Sequence, residues 1–261
     1  FYTIGTVDKG SSQATAIRGV GVEIKNNTVH NACWGLCYTG ADMMVHDNEV
    51  YNVMNNVNDG AAIYTGRNFI NRGNKIYNNY LHDIQSKNEF IKTKYAHGIY
   101  LDDMDCGTEV YQNIIVKANN GILVNCGMSN NVHDNILVDC NSHAVHIATY
   151  NMGNPTSFKR SIAQGEAALA NPAYQKYLDI KEDMDSGLYT KPARNTVRNN
   201  IAYNSEINFS EMIDELNTIE ENHIVERTDF VDFNGNDFRI KADSPFRDRT
   251  QALNESFDLS N

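Results

Sequence analysis

A right-handed parallel β-helix, an all-β solenoid with a short helical insertion, is the fold class this 261-residue chain predicts. Three features carry the prediction: a seven-residue motif that keeps returning, a second short strand after it, and Asn, Asp and Gly at the boundaries. The motif reads apolar, any, any, Asn, any, apolar, then a residue often apolar or aromatic. It occurs as IKNNTVH (Ile24–His30), VHDNEVY (Val45–Tyr51), IYNNYLH (Ile76–His82) and VYQNIIV (Val110–Val116). It returns as VHDNILV (Val132–Val138), VRNNIAY (Val197–Tyr203) and IEENHIV (Ile219–Val225). The motif asparagines are Asn27, Asn48, Asn79, Asn113, Asn135, Asn200 and Asn222, at intervals of 21, 31, 34, 22, 65 and 22 residues. That is a period of 21 or 22 enlarged by insertions.

A coil of this length cannot bury its apolar side alone and does so by stacking on its neighbours. The repeated Asn fits the turn between strands, in a left-handed conformation, with its amide laddered to the coils above and below. The second strand appears as GLCY, AIYT, GIYL, GILV and AVHI, from Gly35 to Ile147. Alternation puts Ile63, Ile99, Leu101, Ile122, Val124, Val145 and Ile147 in the core. A leucine-rich solenoid would need a Leu-rich consensus that is absent. Residues 1–261 are expected to form one β-helix domain, the C-terminal portion of a longer solenoid.

Insertions mark the face of interest. Asn27, Asn113 and Asn135 are followed after 8 or 9 residues by the second strand, but Asn48 needs 14 and Asn79 needs 19. Loops around Asn52–Gly60 and Asp83–Ala96 therefore project from one corner. A larger insertion, 150–193, has the spacing of one or two short helices. Insertions of a solenoid gather on its binding face.

Composition narrows the function. Net charge is −11 without a basic stretch, which argues against a nucleic-acid partner. No apolar run reaches the ~20 residues of a membrane helix. Five cysteines without regular spacing indicate neither a disulfide framework nor zinc; Cys33, Cys37, Cys126 and Cys140 are expected to pack within coils.

The outward face collects Tyr64, Tyr100 and His146, with His97 and His143 just before the strands and Arg67 just after one. Aromatic faces, imidazoles and carboxylates together suit a sugar cleft. HGIYLDDMD places Asp102 and Asp103 side by side, and NDG places Asp59 on the neighbouring coil. Two carboxylates flanking one groove are the minimum apparatus for glycosidic hydrolysis. Asp-Gly turns and solvated Asp-Asp corners are the structural alternative. No cofactor is expected; the one metal alternative is Ca²⁺ on Asp102, Asp103 and Asp105. Lys87, Lys92 and Lys94 allow a polysaccharide lyase instead, through a lysine base.

DGAAIY (Asp59–Tyr64), GNKIYNNYLHDI (Gly73–Ile84), HGIYLDD (His97–Asp103) and NNVHDNILVDC (Asn130–Cys140) resemble bacterial β-helix carbohydrate-active enzymes, in particular glycoside hydrolase family 141. NPAYQKYLDI, RNTVRNNI and DFRIKADSPFRD resemble the later part of such proteins. The resemblance implies α-L-fucosidase- or xylanase-type activity, with the two family aspartates at Asp59 and at Asp102 or Asp103. Family members carry upstream coils, so missing N-terminal coils or another chain are expected to cover the first coil here. The resulting expectation is a secreted or periplasmic glycoside hydrolase acting on a polysaccharide or oligosaccharide. A lyase and a non-catalytic glycan-binding solenoid stand as alternatives.

Overall fold

The computed structural model describes residues 13–55, 57–85, 95–150, 154–177, 179–188, 191–209 and 214–247. Three seven-stranded sheets, each strand paired in parallel with its counterpart in the next coil, wind as a right-handed parallel β-helix. The first sheet runs Gln13–Val20, Trp34–Ala41, Asp59–Gly66, Tyr95–Asp102, Asn120–Asn125, His143–Ala148 and Ile207–Phe209. Each repeated motif straddles the corner between the second and third sheets; Ile24–His30, for example, spans strands Glu23–Lys25 and Thr28–His30. A short antiparallel hairpin, Phe230–Asp232 with Asp237–Ile240, follows the last coil.

The core forms as the alternation predicts. Leu36, Ile63, Ile99, Ile122 and Val145 stack in register, all at most 1% exposed, with Leu101, Val124 and Ile147 beside them. Full burial of each aliphatic side chain contributes about 1.5–3 kcal/mol. All five cysteines are free and buried: Cys33 and Cys140 in this core, Cys106 under the helical insertion, and Cys37 on the outer face of the first sheet.

The motif asparagines do form a ladder, but not in the conformation expected. Asn48, Asn79, Asn113, Asn135 and Asn200 are fully buried. Each carboxamide oxygen accepts both the backbone N–H and the side-chain amide of the preceding rung, as Asn113 does from Asn79 at 3.1 and 2.9 Å. The left-handed residue is the one before: Asn26, Asp47, Asn78, Gln112, Asp134, Asn199 and Glu221 have φ between 53° and 55°. The turn needs one left-handed residue, and the buried rung must stay extended enough to aim its amide along the stack. A second ladder, unforeseen in the sequence, runs at the corner between the first and second sheets through Asn130, Asn195 and Asn217.

The large insertion holds two helices, α1 (Pro155–Leu169) and α2 (Asp179–Ser186). Asn154 caps α1 by accepting from the N–H of Thr156, with Pro155 preset for the first turn. The helices cover the corner after the first sheet, packing Ala168 and Ile180 on Phe69, Cys106 and Met128. Arg72, 1% exposed, donates to Asp179 at 2.6 Å and to Asp183 at 2.8 Å, fastening α2 to the coils. The inserted chain thus walls one end of the first-sheet strands, and the loop ending at Asp59 walls the other.

Candidate active site

A break in the alternation of the first sheet makes its outer face concave. Gly98 and Ile99 both face the core, as do Ala62 with Ile63 and Ala144 with Val145. His97 and Tyr100, three residues apart, consequently both face outward, with ring centroids 4.6 Å apart. His143 and His146 repeat the arrangement at 4.5 Å. Strict alternation would have turned His97 inward beside Ile99. The column at the break tolerates little side chain: a Cβ on Gly35 would lie 2.1 Å from the Ala62 oxygen, and one on Gly121 2.4 Å from that of Ala144.

The fold across this concavity brings Asp59 and Asp102 together. In register Asp59 faces Tyr95, seven residues before Asp102, yet both acids line one cavity of about 450 Å³. Asp59 is exposed, and desolvation in the groove, with the Asp102 and Asp103 charges, holds its carboxyl above the usual range against the opposing Arg67. Asp102 is only 4% exposed. It accepts from Tyr64 Oη at 2.8 Å and Asn125 Nδ2 at 3.1 Å, with Arg67 Nε 3.5 Å away. Burial and the neighbouring carboxylate raise the Tyr64 and Tyr100 hydroxyl pKa values, so both stay protonated donors.

The remaining expected residues divide. Arg67, Tyr100 and His97 line the cavity with the two acids. Burial lowers the His97 pKa to about 3, and Asn120 Nδ2 lies 3.1 Å from its Nδ1, which leaves a neutral ring with its proton on Nε2. Asp103 does not line the cavity; its φ of 38° turns it aside, with Arg67 Nε at 3.3 Å and Asn125 at 3.4 Å. His143 and His146 do not line it either. Their Nδ1 atoms approach to 3.1 Å, and His146 stacks against Tyr150, which does line the cavity. Burial holds His146 down at about 4.

Asp105 parts from its neighbours. It is fully buried, and Thr65, Asn71 and Thr108 donate to its carboxylate from the coil interior. Desolvation raises it to about 6 despite those donors. The three aspartates of the calcium alternative therefore do not converge, and no cluster of three potential metal ligands occurs among the described residues. Lys87, Lys92 and Lys94 lie outside the described residues.

Sequence reasoning missed Tyr95 and Tyr150, which close the cavity with rings 6.5 Å apart. Tyr95 stands two positions before His97 on the same face, so the break in alternation that turns His97 outward also turns Tyr95 outward, against what strict alternation predicts. Tyr150 lies beyond its strand, where alternation carries no signal.

A larger cavity of about 1180 Å³ adjoins the first, sharing Asn58, Asp59 and Arg67. Trp34 and Tyr64, with rings 5.0 Å apart, stand in its wall. The two spaces make a groove along the stacking direction with the acid pair in it.

No helix among the described residues is long and apolar enough to cross a membrane. No family model matches the chain, and a search of curated proteins gives no significant match. Two solved structures match, both variants of the periplasmic alginate epimerase AlgG. One has a TM-score of 0.47 at 13% identity, covering 82% of this chain. The other has 0.45 at 15% identity, covering 81%. The chain spans 43% of the length of each.

Proposed function

We propose that this chain is a carbohydrate-active β-helix enzyme, a glycoside hydrolase of the kind its motifs resemble in family 141, acting on a polysaccharide or oligosaccharide. The observation that supports this most is the meeting of Asp59 and Asp102 in one cavity in unlike surroundings. Paired carboxylates whose environments differ divide into acid and base or nucleophile. Asp59, with its pKa raised, is the proton donor to the glycosidic oxygen. Asp102, oriented by Tyr64 and Asn125, faces the developing positive charge on the sugar or directs the incoming water. Tyr100 and His97 position hydroxyls, and Tyr95 and Tyr150 offer aromatic faces. A polymeric substrate implies work outside the cytoplasm, secreted or periplasmic. Asp59→Asn and Asp102→Asn should each lower kcat by at least a thousandfold on a glycan that the parent cleaves, followed by reducing ends. Unchanged turnover in either variant would remove the assignment.

A second reading, β-elimination or epimerisation of a uronic acid, has one observation in its favour. Arg67, with its side chain 60% exposed, and the neutral His97 line the same cavity, a guanidinium suited to a uronate carboxylate together with an unprotonated imidazole. A product absorbing in the ultraviolet, or inversion at C5 without cleavage, would select it.

A further inference from the structure

Basic residues are the minority in this chain, 22 against 33 acidic, yet the larger cavity inverts that balance. Its charged lining is Arg18, Arg67, Arg160 and the single acid Asp59. A cavity of similar volume at the C-terminal coils shows the opposite, lined by Glu206, Glu220 and Glu221 with no basic residue. The chain as a whole carries 22 basic to 33 acidic residues, so the first cavity departs from that balance towards the basic side.

The arginines are placed by separate elements. Arg18 is exposed on the first strand, Gln13–Val20, in register with Thr39. Arg160 comes from α1, one turn before Gln164 and on the same face. Gln164 pins that face to the groove: its oxygen accepts the Phe69 N–H at 2.9 Å, and its amide donates to the Arg67 carbonyl at 3.2 Å. Ala163 and Ala167 beside it leave the space open. Neither Arg18 nor Arg160 makes an ion pair among the described residues, whereas Arg67 is engaged with Asp102 and Asp103. Arg18 lies three strands from Asp102, about 14 Å along the stack at ~4.8 Å per strand. A chain molecule reaches both places; one sugar ring does not.

We propose that Arg18 and Arg160 form a subsite for an anionic sugar unit, carrying a carboxylate or a sulfate, on a glycan whose reacting bond lies at Asp59 and Asp102. The inference rests on the glycan reading of the groove and adds the chemical class of its substrate. Guanidinium groups suit this task, since their planar forks match the oxygens of a carboxylate or sulfate. An acidic protein gains selectivity from the arrangement: its net charge repels anions, and this cavity offers them a basic lining.

The test is binding, measured by calorimetry in the Asp59→Asn background so that turnover does not consume the ligand. Three probes are used: an oligogalacturonate, its carboxyl-reduced neutral counterpart, and a sulfated galactan oligomer. R18Q/R160Q should weaken an acidic oligomer about tenfold per arginine and leave the neutral one unchanged. K117Q/K181Q, the same loss of charge at exposed sites outside both cavities, should bind like the parent. Preference for uronate or for sulfate names the source of the charge. No binding of either acidic oligomer, equal binding of the neutral one, or indifference to R18Q/R160Q overturns the subsite. Arginine-dependent binding of an acidic oligomer that the protein with Asp59 intact does not hydrolyse would instead remove the hydrolase assignment and leave the subsite standing.

Discussion

Tyr64 donates its phenolic hydrogen bond to Asp102 at 2.8 Å, across two neighbouring strands and 38 residues of sequence. The acid at the centre of the groove is thus aimed by the coil before it. Tyr64→Phe removes that donor without removing the ring that packs on Trp34 and Tyr100. A hydrogen bond to a charged group is worth about 1.5–3 kcal/mol. We expect kcat to fall ten- to a hundredfold with KM and melting temperature nearly unchanged, read by steady-state kinetics and thermal unfolding. A variant as active as the parent would show that Asp102 needs no such aim.

Stability should drop sharply at the middle of the motif ladder. Asn113, fully buried, donates to the carbonyls of Ile76 and Tyr111 and to Asn135, and accepts twice from Asn79. Asn113→Ala orphans several buried groups at about 1–3 kcal/mol each. Urea unfolding should show a loss of at least 3 kcal/mol. Asn222→Ala, at the half-exposed last rung, should lose about 1 kcal/mol.

Burial of His97 gives a pH dependence with a definite sign. Unfolded, the imidazole takes a proton below its ordinary 6.5; folded, only below about 3. Between those values the unfolded state binds more protons, so stability falls as pH falls. His97→Gln abolishes this component. Relative to the variant, the parent should lose about 2 kcal/mol between pH 7 and pH 5, measured by chemical unfolding at both. Parallel losses in the two proteins would mean that His97 is protonated in the fold.

Arg72 fastens the helical insertion, and its loss should be local before it is global. Arg72→Met leaves Asp183, fully buried, with Arg194 as its remaining cation. Breaking a buried pair from one side costs about 3–5 kcal/mol. Limited proteolysis should cut first within 170–190, with the β-helix surviving as a protected core. Uniform degradation would count against this division.

The repeats, the seven coils, the interior aliphatic column and the place of the helices were all legible, because stacking imposes a strict period that insertions interrupt without erasing. The site was legible in part. Asp59, Asp102, Arg67, Tyr64 and Tyr100 gather as their outward positions imply, and His97 joins them through the break in alternation. Asp103 and Asp105 were not separable from Asp102, since a left-handed corner decides which carboxylate turns outward, and DDMD looks alike either way. His143 and His146 share the face of His97 but both sit two coils further on, behind Tyr150. The ladder asparagines show the same limit: composition identifies the turn, but not which of two adjacent residues adopts positive φ.

The seam of glycine and alanine through Gly35, Ala62, Gly98, Gly121 and Ala144 has an evolutionary corollary. Curvature of the cleft is written into backbone contacts that admit almost no substitution, whereas Tyr95, Tyr150, Arg18 and Arg160 stand at a strand end, in a loop, on the edge strand and on a helix, places that tolerate exchange. Descendants of this architecture would diversify their sugar preference along the rim while inheriting the hollow itself unaltered.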